Sequence, residues 1–386
     1  MDGTNQLKQG DTEMNGEIES LIDKLKRNAG QLGKKSAMVG FDGFIDCIVR
    51  VVKHKNPDKS ICFFNDMGEF GTYLKSKSGK SCSLELVEQV RKMGGNMPIF
   101  SMALGTMGVQ VSCIGAMGSP GPLPEFEIMK EKNCTLYGIG EPGATTALEF
   151  NDGKIMMAQM KGMDELTWEK IKGLIGVDKL TEFYASSHLI GLLNWSETED
   201  ANSIWEGILK KVMPDIKPDK NQILFFDLSD CSKKSIQDIV KALELIREFA
   251  GYRRVILGMN ENEAEIIYKT LWGEPEAKDL KSMGDRLYGY LGIDAAVIHS
   301  RKLSIAWEQE GSYCASTFYI DCPTISTGGG DNFNAGFCAA QLLGFDMAAS
   351  IRMANAASAC YIKNGFSPGK TELIEFLESQ SDVDPL

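Results

Sequence analysis

Short apolar runs recur along the chain at residues 37–41, 109–114, 184–190, 223–228, 254–258 and 295–299, alternating with patterns of helical period such as 236–249, 261–272 and 348–362. A continuous apolar run is a strand buried on both faces, and a parallel strand needs a crossover helix before the next one can pair with it. The alternation therefore predicts an α/β fold: a doubly wound, mostly parallel central sheet with helices on both faces and ligands at the carboxyl ends of the strands. With 386 residues, 43% of them hydrophobic, there is enough apolar material to bury such a sheet.

Two regions interrupt the alternation. Residues 46–80 hold strand-like pieces without a clear helix, and residues 145–150 and 154–159 flank Asn151-Asp152-Gly153, a tight-hairpin signal. The spans 46–80 and 143–161 together predict a small β-sheet lid on a domain covering 34–386. Residues 1–33 read as a flexible extension with a helical piece near 18–26.

Composition removes several functions. The formal net charge is −12, and no segment interleaves Lys and Arg with aromatics, so nucleic acid and anionic membrane are discounted as partners. The ten cysteines stand singly and the three histidines are far apart, which leaves no zinc-type ligand set. A polar, acidic start and the lack of a long apolar run imply a cytoplasmic protein with reduced thiols.

Five motifs carry chemistry. In Ser326-Thr327-Gly328-Gly329-Gly330-Asp331, three glycines lead into a helical stretch. Their amides can turn to one side, and the positive end of the helix adds to that field, forming a phosphate cradle with Asp331 in the first turn. The structural alternative is a glycine turn capped by Asp331. Gly94-Gly95-Asn96 also precedes a helical pattern, either as a tight loop or as bare backbone for a ligand beside the amide of Asn96. Asp42 and Asp46 follow the first strand, either as paired carboxylates that accept from vicinal hydroxyls or as a turn cap (Asp42) and an exposed side chain (Asp46). Asn260-x-x-Glu263 opens a helix, either as a capping box or as groups facing a metal ion and phosphates. The fifth is Ala354-Asn355-Ala356-Ala357, inside the last long helical pattern. Gly138-x-Gly140-x-x-Gly143 matches a dinucleotide fingerprint, but a strand pattern follows where a helix is required.

In this order the five motifs resemble the ribokinase-like, or PfkB, carbohydrate kinase family over residues 36–368. The resemblance implies ATP-dependent phosphoryl transfer to a sugar hydroxyl, with Mg²⁺. A nucleoside acceptor is one alternative, and a catalytically silent sugar-binding regulator of the same fold is another. By match to the family motifs, Asp331 is the general base and Gly328, Gly329 and Gly330 form the anion hole. Asp42, Asp46, Gly94 and Gly95 hold the acceptor, with Asn96 standing in for an Asn usually carried at the position of Ile99. Asn260 and Glu263 correspond to the metal and phosphate pair, acting through water, and Asn355 lines the adenine pocket. The usual nucleotide loop is replaced by His299-Ser300-Arg301-Lys302-Leu303, leaving Ser300 as its polar contact. Ile325 replaces an aspartate that in several members helps bind a monovalent cation, so K⁺ activation is expected to be weak or absent. An acceptor already carrying phosphate requires a cation in the lid, for which Lys154, Lys161 and Arg50 are candidates. An exposed lid edge allows a homodimer.

Overall fold

The computed structural model describes residues 3–273, 279–325 and 327–381, with side chains described from residue 16 to residue 380. Its large sheet runs edge to edge through Gly311–Ser316, Leu303–Glu308, Ala295–His299, Arg253–Asn260, Asp219–Asp227, Leu189–Leu192, Ser36–Phe41, Gln110–Gly115 and Cys134–Gly138. From Cys134–Gly138 through Ala295–His299 every pairing is parallel, and the last two strands are added antiparallel. The central strands are the apolar runs of the sequence, and Leu189–Leu192 is buried at every position. From Ser36–Phe41 the chain adds strands first on one side and later on the other. This reversal opens a crevice at the strands' carboxyl ends, where ligands bind in such sheets.

The smaller sheet is centred on Phe44–Lys55, which pairs with Leu86–Gly94, Ile61–Phe63 and Gly143–Phe150. The last of these forms the expected hairpin with Gly153–Gln159. Two boundaries of this sheet differ from the sequence reading. The span 46–80 contains a helix, Met67–Ser76, started by Asp66 accepting from the Glu69 amide, and Phe64 and Phe70 pack with Val49, Val51, Leu148 and Phe150 beneath it. Gly68 and Gly71 dilute the helix's apolar period. Leu86–Gly94 lies outside the expected spans because it is a largely exposed edge strand with charged residues where an apolar run was sought. The run at 184–190 also divides: Tyr184 belongs to the helix Val177–Ser186, and the strand starts at Leu189. Only Ser187 and His188 separate them, so no turn residues marked the change.

Residues 16–33 are not the flexible extension expected. They continue a helix, Gly3–Asn28, whose Ile18, Leu21, Ile22 and Leu25 are buried in the core that also holds Leu373, Phe376 and Leu377 of the C-terminal helix. Ion pairs Lys24–Asp346 and Lys26–Glu378 frame the contact. Leu21 is 1% exposed, so Leu21→Ala is expected to cost about 2–5 kcal/mol in urea unfolding, where a mobile arm would show no change. No helix among the described residues is long and apolar enough to cross a membrane.

Candidate active site

The strand Ser36–Phe41 delivers Asp42 into the crevice, fully buried. Its Oδ2 accepts from the Asn96 amide at 2.9 Å and from Asn194 Nδ2 at 2.7 Å, and its Oδ1 accepts from the Met97 amide at 2.8 Å. Those two amides open the helix Asn96–Thr106, which has no capping side chain of its own at Gly95, so Asp42 caps it from a distant part of the chain. A Cβ on Gly95 would lie 2.6 Å from Asp42 Oδ2, and one on Gly94 2.4 Å from Asp46 Oδ2. Only bare backbone fits between the two carboxylates. Asp42, Asp46, Gly94, Gly95 and Asn96 are thus one cluster, as the sequence suggested, but with unequal tasks. Three protein donors occupy Asp42. Asp46, half-buried on the smaller sheet, is engaged by Thr145 and is the more available acceptor. Asn96 Nδ2 donates to Ser229 Oγ at 3.0 Å.

Two members of the site escaped the sequence reading. Asn194, two residues beyond the strand Leu189–Leu192, takes a left-handed conformation (φ 56°), and its Oδ1 is buried without a partner. Asp227 ends the strand Asp219–Asp227, where it accepts from the Ser229 amide at 2.9 Å and from Asn334 Nδ2 at 2.5 Å; Asn334 Oδ1 is likewise unpartnered. The signal available was position: each is a polar residue at or just beyond the carboxyl end of an apolar run.

Gly328, Gly329, Gly330 and Asp331 form the start of the helix Gly329–Leu342, with Gly328 in a left-handed conformation at the N-cap and no capping side chain. Asp331 is therefore not the cap. Among the described residues no other residue hydrogen-bonds its half-buried carboxylate. Burial raises that carboxyl well above the usual range, and Asp227, Asp42 and Glu263 push it further in the same direction. Burial also lifts Asp42 to about 7 despite its three hydrogen bonds, and raises Asp227 and Glu263. Among the described residues, the three charged side chains named as acting on Asp331, those of Asp227, Asp42 and Glu263, are all acidic.

The linkage has a definite sign. A carboxyl with a raised folded-state pKa stabilises the fold fully below its unfolded value of roughly 4, and that stabilisation is lost as pH rises through the folded value. With Asp42 at about 7, the ligand-free protein is expected to lose several degrees of Tm between pH 5 and pH 8. Glu263→Gln is expected to flatten the fall, and scanning calorimetry across that range measures both.

Asn260 and Glu263 form a complete capping box on the helix Glu261–Trp272: Glu263 N donates to Asn260 Oδ1 and Asn260 N to Glu263 Oε2, both at 2.9 Å. The structural reading of that motif is realised, and Glu263, 5% exposed, still faces the acidic cluster. Beside it lies a cavity of about 1210 Å³, bordered by Gly329, Gly330, Asn260, His299, Ser300 and Asn355 among others. Asn355 bridges Ser304 Oγ, from which its Oδ1 accepts at 2.7 Å, and Ser316 O, to which its Nδ2 donates at 3.1 Å. Its side-chain groups hold the wall of the cavity and are not free for a ligand. Ser300 Oγ is similarly used in its turn, accepting from the Lys302 and Leu303 amides at 3.2 Å. His299 packs on Phe333, and burial lowers its imidazole to about 4, so it is neutral. Among the described residues no three His, Cys, Asp or Glu side chains form a direct metal cage.

A crevice with glycine amides, a half-buried carboxylate and an adjoining cavity suits phosphoryl transfer, and comparison with known proteins decides the family. The family model for prokaryotic ketohexokinase matches residues 15–380. The chain belongs to the prokaryotic ketohexokinase family. A ketohexokinase from Haloferax volcanii is 24% identical over 347 residues, which is 89% of this chain and 91% of that protein. This family membership makes the protein a sugar kinase, a phosphotransferase with an alcohol group as acceptor. Solved structures share the ribokinase fold. Arabidopsis thaliana ribokinase complexed with ribose and ATP has a TM-score of 0.61 at 15% identity, covering 89% of this chain and 98% of that one. A putative ribokinase II from E. coli in complex with ATP and Mg²⁺ also scores 0.61, at 11% identity, covering 89% and 99%.

Proposed function

We propose that this ketohexokinase-family protein transfers the terminal phosphoryl group of ATP to a hydroxyl of a ketohexose, with Asp331 as general base. The observation that carries the reading is the position of Asp331: in the first helical turn, hydrogen-bonded by no other described residue, directly after Gly329 and Gly330, which border the cavity, and within the influence of Asp227, Asp42 and Glu263. The acceptor lies against Gly94 and Gly95, accepted by Asp46 and by the unpartnered Oδ1 of Asn194. A buried oxygen without a donor fits a polyol, which supplies one. The nucleotide takes the cavity, its terminal phosphate at the amides of Gly328, Gly329 and Gly330.

Mg²⁺ fits the donor set. Asp227, Asp42 and Glu263 all push the Asp331 carboxyl upward, and Asp227 does the same to Glu263. Glu263 and Asp227 would hold the ion through its waters, because no direct cage exists among the described residues. When bound, the ion neutralises charge on the phosphate oxygens. Asp331 receives the hydroxyl proton as the new oxygen–phosphorus bond forms and the bond to the departing ADP breaks, while the glycine amides and the helix they open stabilise the equatorial oxygens. Transfer of this kind depends chiefly on alignment and charge. Ile325 supplies no carboxylate for a monovalent cation, in keeping with weak K⁺ dependence.

A nucleoside acceptor would be favoured by aromatic rings around the base. The cross-strand neighbours of Asp46 are instead Lys92 and Thr145, which supports a polyol. ADP release measured with Mg·ATP against ketohexoses, aldoses and nucleosides tests the reading. A ketohexose is expected to give the highest kcat/KM, and preference for a nucleoside would contradict it.

A further inference from the structure

We propose that Lys92 is a specificity-determining residue: its ammonium donates to, and the Asp46 carboxylate accepts from, adjacent hydroxyls of a neutral acceptor, so that the smaller sheet reads an unphosphorylated polyol. The inference rests on the sugar-kinase reading above and deepens it.

Lys92 stands directly opposite Asp46 in the antiparallel pairing of Leu86–Gly94 with Phe44–Lys55, and Thr145 stands opposite Asp46 on the other side. Directly opposed residues share a face of a sheet. Gly94, two positions beyond Lys92, is on that face too, with its bare Cα against the Asp46 carboxylate. The row Lys92, Asp46, Thr145 therefore shares its face with Gly94, and Asp46 lies against that glycine.

The neighbouring cations are otherwise engaged. Lys154 pairs with Glu149 at 3.0 Å, the Arg50 guanidinium lies 4.4 Å from the Phe63 ring centroid, and Arg91, on the opposite face, pairs with Glu125 at 2.6 Å. Lys92 is half-buried, its charge acts on Asp46, and among the described residues it forms no salt bridge. An isolated ammonium beside an available carboxylate is a donor and acceptor pair matched to vicinal hydroxyls. A phosphorylated acceptor would instead bring its dianion against Asp46.

The test uses the full chain as wild type, Lys92→Met and Lys92→Arg, with Mg·ATP and the best sugar the wild type turns over. Lys92→Met is expected to raise the KM for sugar about tenfold or more, leaving kcat within roughly threefold and the KM for ATP unchanged. Lys92→Arg, which keeps the charge, is expected to recover most of the loss. The charged and polar groups facing Asp46 are Lys92, Lys154 and Thr145. Losing Lys92 should therefore move the acid limb of kcat/KM to higher pH, a shift that a purely structural lysine would not produce. An unchanged KM with an unmoved acid limb overturns the proposal. So does a wild-type preference for fructose 6-phosphate over fructose that Lys92→Met abolishes, since Lys92 would then read an anion. Should no ketohexose be phosphorylated, the substrate reading fails by itself, and the three proteins are compared by calorimetric titration with the neutral sugar that does bind. Binding of none overturns both.

Discussion

Asp331→Asn is expected to lower kcat by roughly 10²–10⁴-fold, the usual contribution of a positioned general base, while leaving the KM for sugar little changed. The asparagine has nearly the same size and stays in the first turn of the helix Gly329–Leu342, so the cradle for the phosphate survives. What disappears is the proposed acceptor of the hydroxyl proton, an interaction that would be made only as the reaction proceeds, and such losses appear in kcat. The same substitution removes one negative charge from among Asp42, Asp227 and Glu263. The ligand-free variant is therefore expected to melt at a higher temperature than wild type at pH 8, a gain in stability with a loss of activity that marks a strained functional group. Steady-state kinetics and calorimetry on one preparation check both. Near-normal turnover would remove Asp331 from the reaction.

Gly328→Ala is expected to lower kcat by about 10²–10³-fold, the scale of losing one donor to a developing anion. Gly328 sits at φ 94°, and a Cβ there would lie 2.7 Å from Tyr361 Oη and 3.2 Å from its Cζ. The ring cannot retreat freely, because Tyr361 Oη donates to Thr327 O at 3.0 Å and the residue lies in the packed helix Met347–Asn364. Either the loop or the helix must shift, and the amides proposed to hold the phosphate shift with it. Tyr361→Phe in the same chain removes the closest atom and is expected to restore part of the rate, leaving the cost of a left-handed alanine, on the order of 1–2 kcal/mol. No recovery, together with normal ATP binding in the single variant, would show that the glycine serves only the backbone.

The layered sheet was legible because its strands are buried on both faces and read as apolar runs, and the hairpin at Asn151 to Gly153 because turn chemistry is local. The strand Leu86–Gly94 was hidden by its exposed, charged edge character, and the strand Leu189–Leu192 was blurred by the helix that runs into it. Ile18, Leu21, Ile22 and Leu25 do carry a helical period, but a polar start masked the fact that the C-terminal helix offers them a partner. At the site, the glycine and aspartate motifs could be placed because close approach leaves room for nothing larger at Gly94 and Gly95. Asn194 and Asp227 offered only their position at strand ends, since each acquires its meaning from a residue distant in sequence: Asp42 for the first and Asn334 for the second. Asn355 shows the converse. Its motif was visible, yet its side chain is committed to Ser304 and Ser316.

The most direct test of the proposed chemistry is a crystal structure with fructose and a non-hydrolysable ATP analogue bound together. One sugar hydroxyl is expected within roughly 2.6–3.2 Å of an Asp331 carboxylate oxygen, with the terminal phosphate against the amides of Gly328, Gly329 and Gly330. A sugar bound with no hydroxyl near Asp331, or a nucleotide whose phosphates lie away from those amides, would contradict the account.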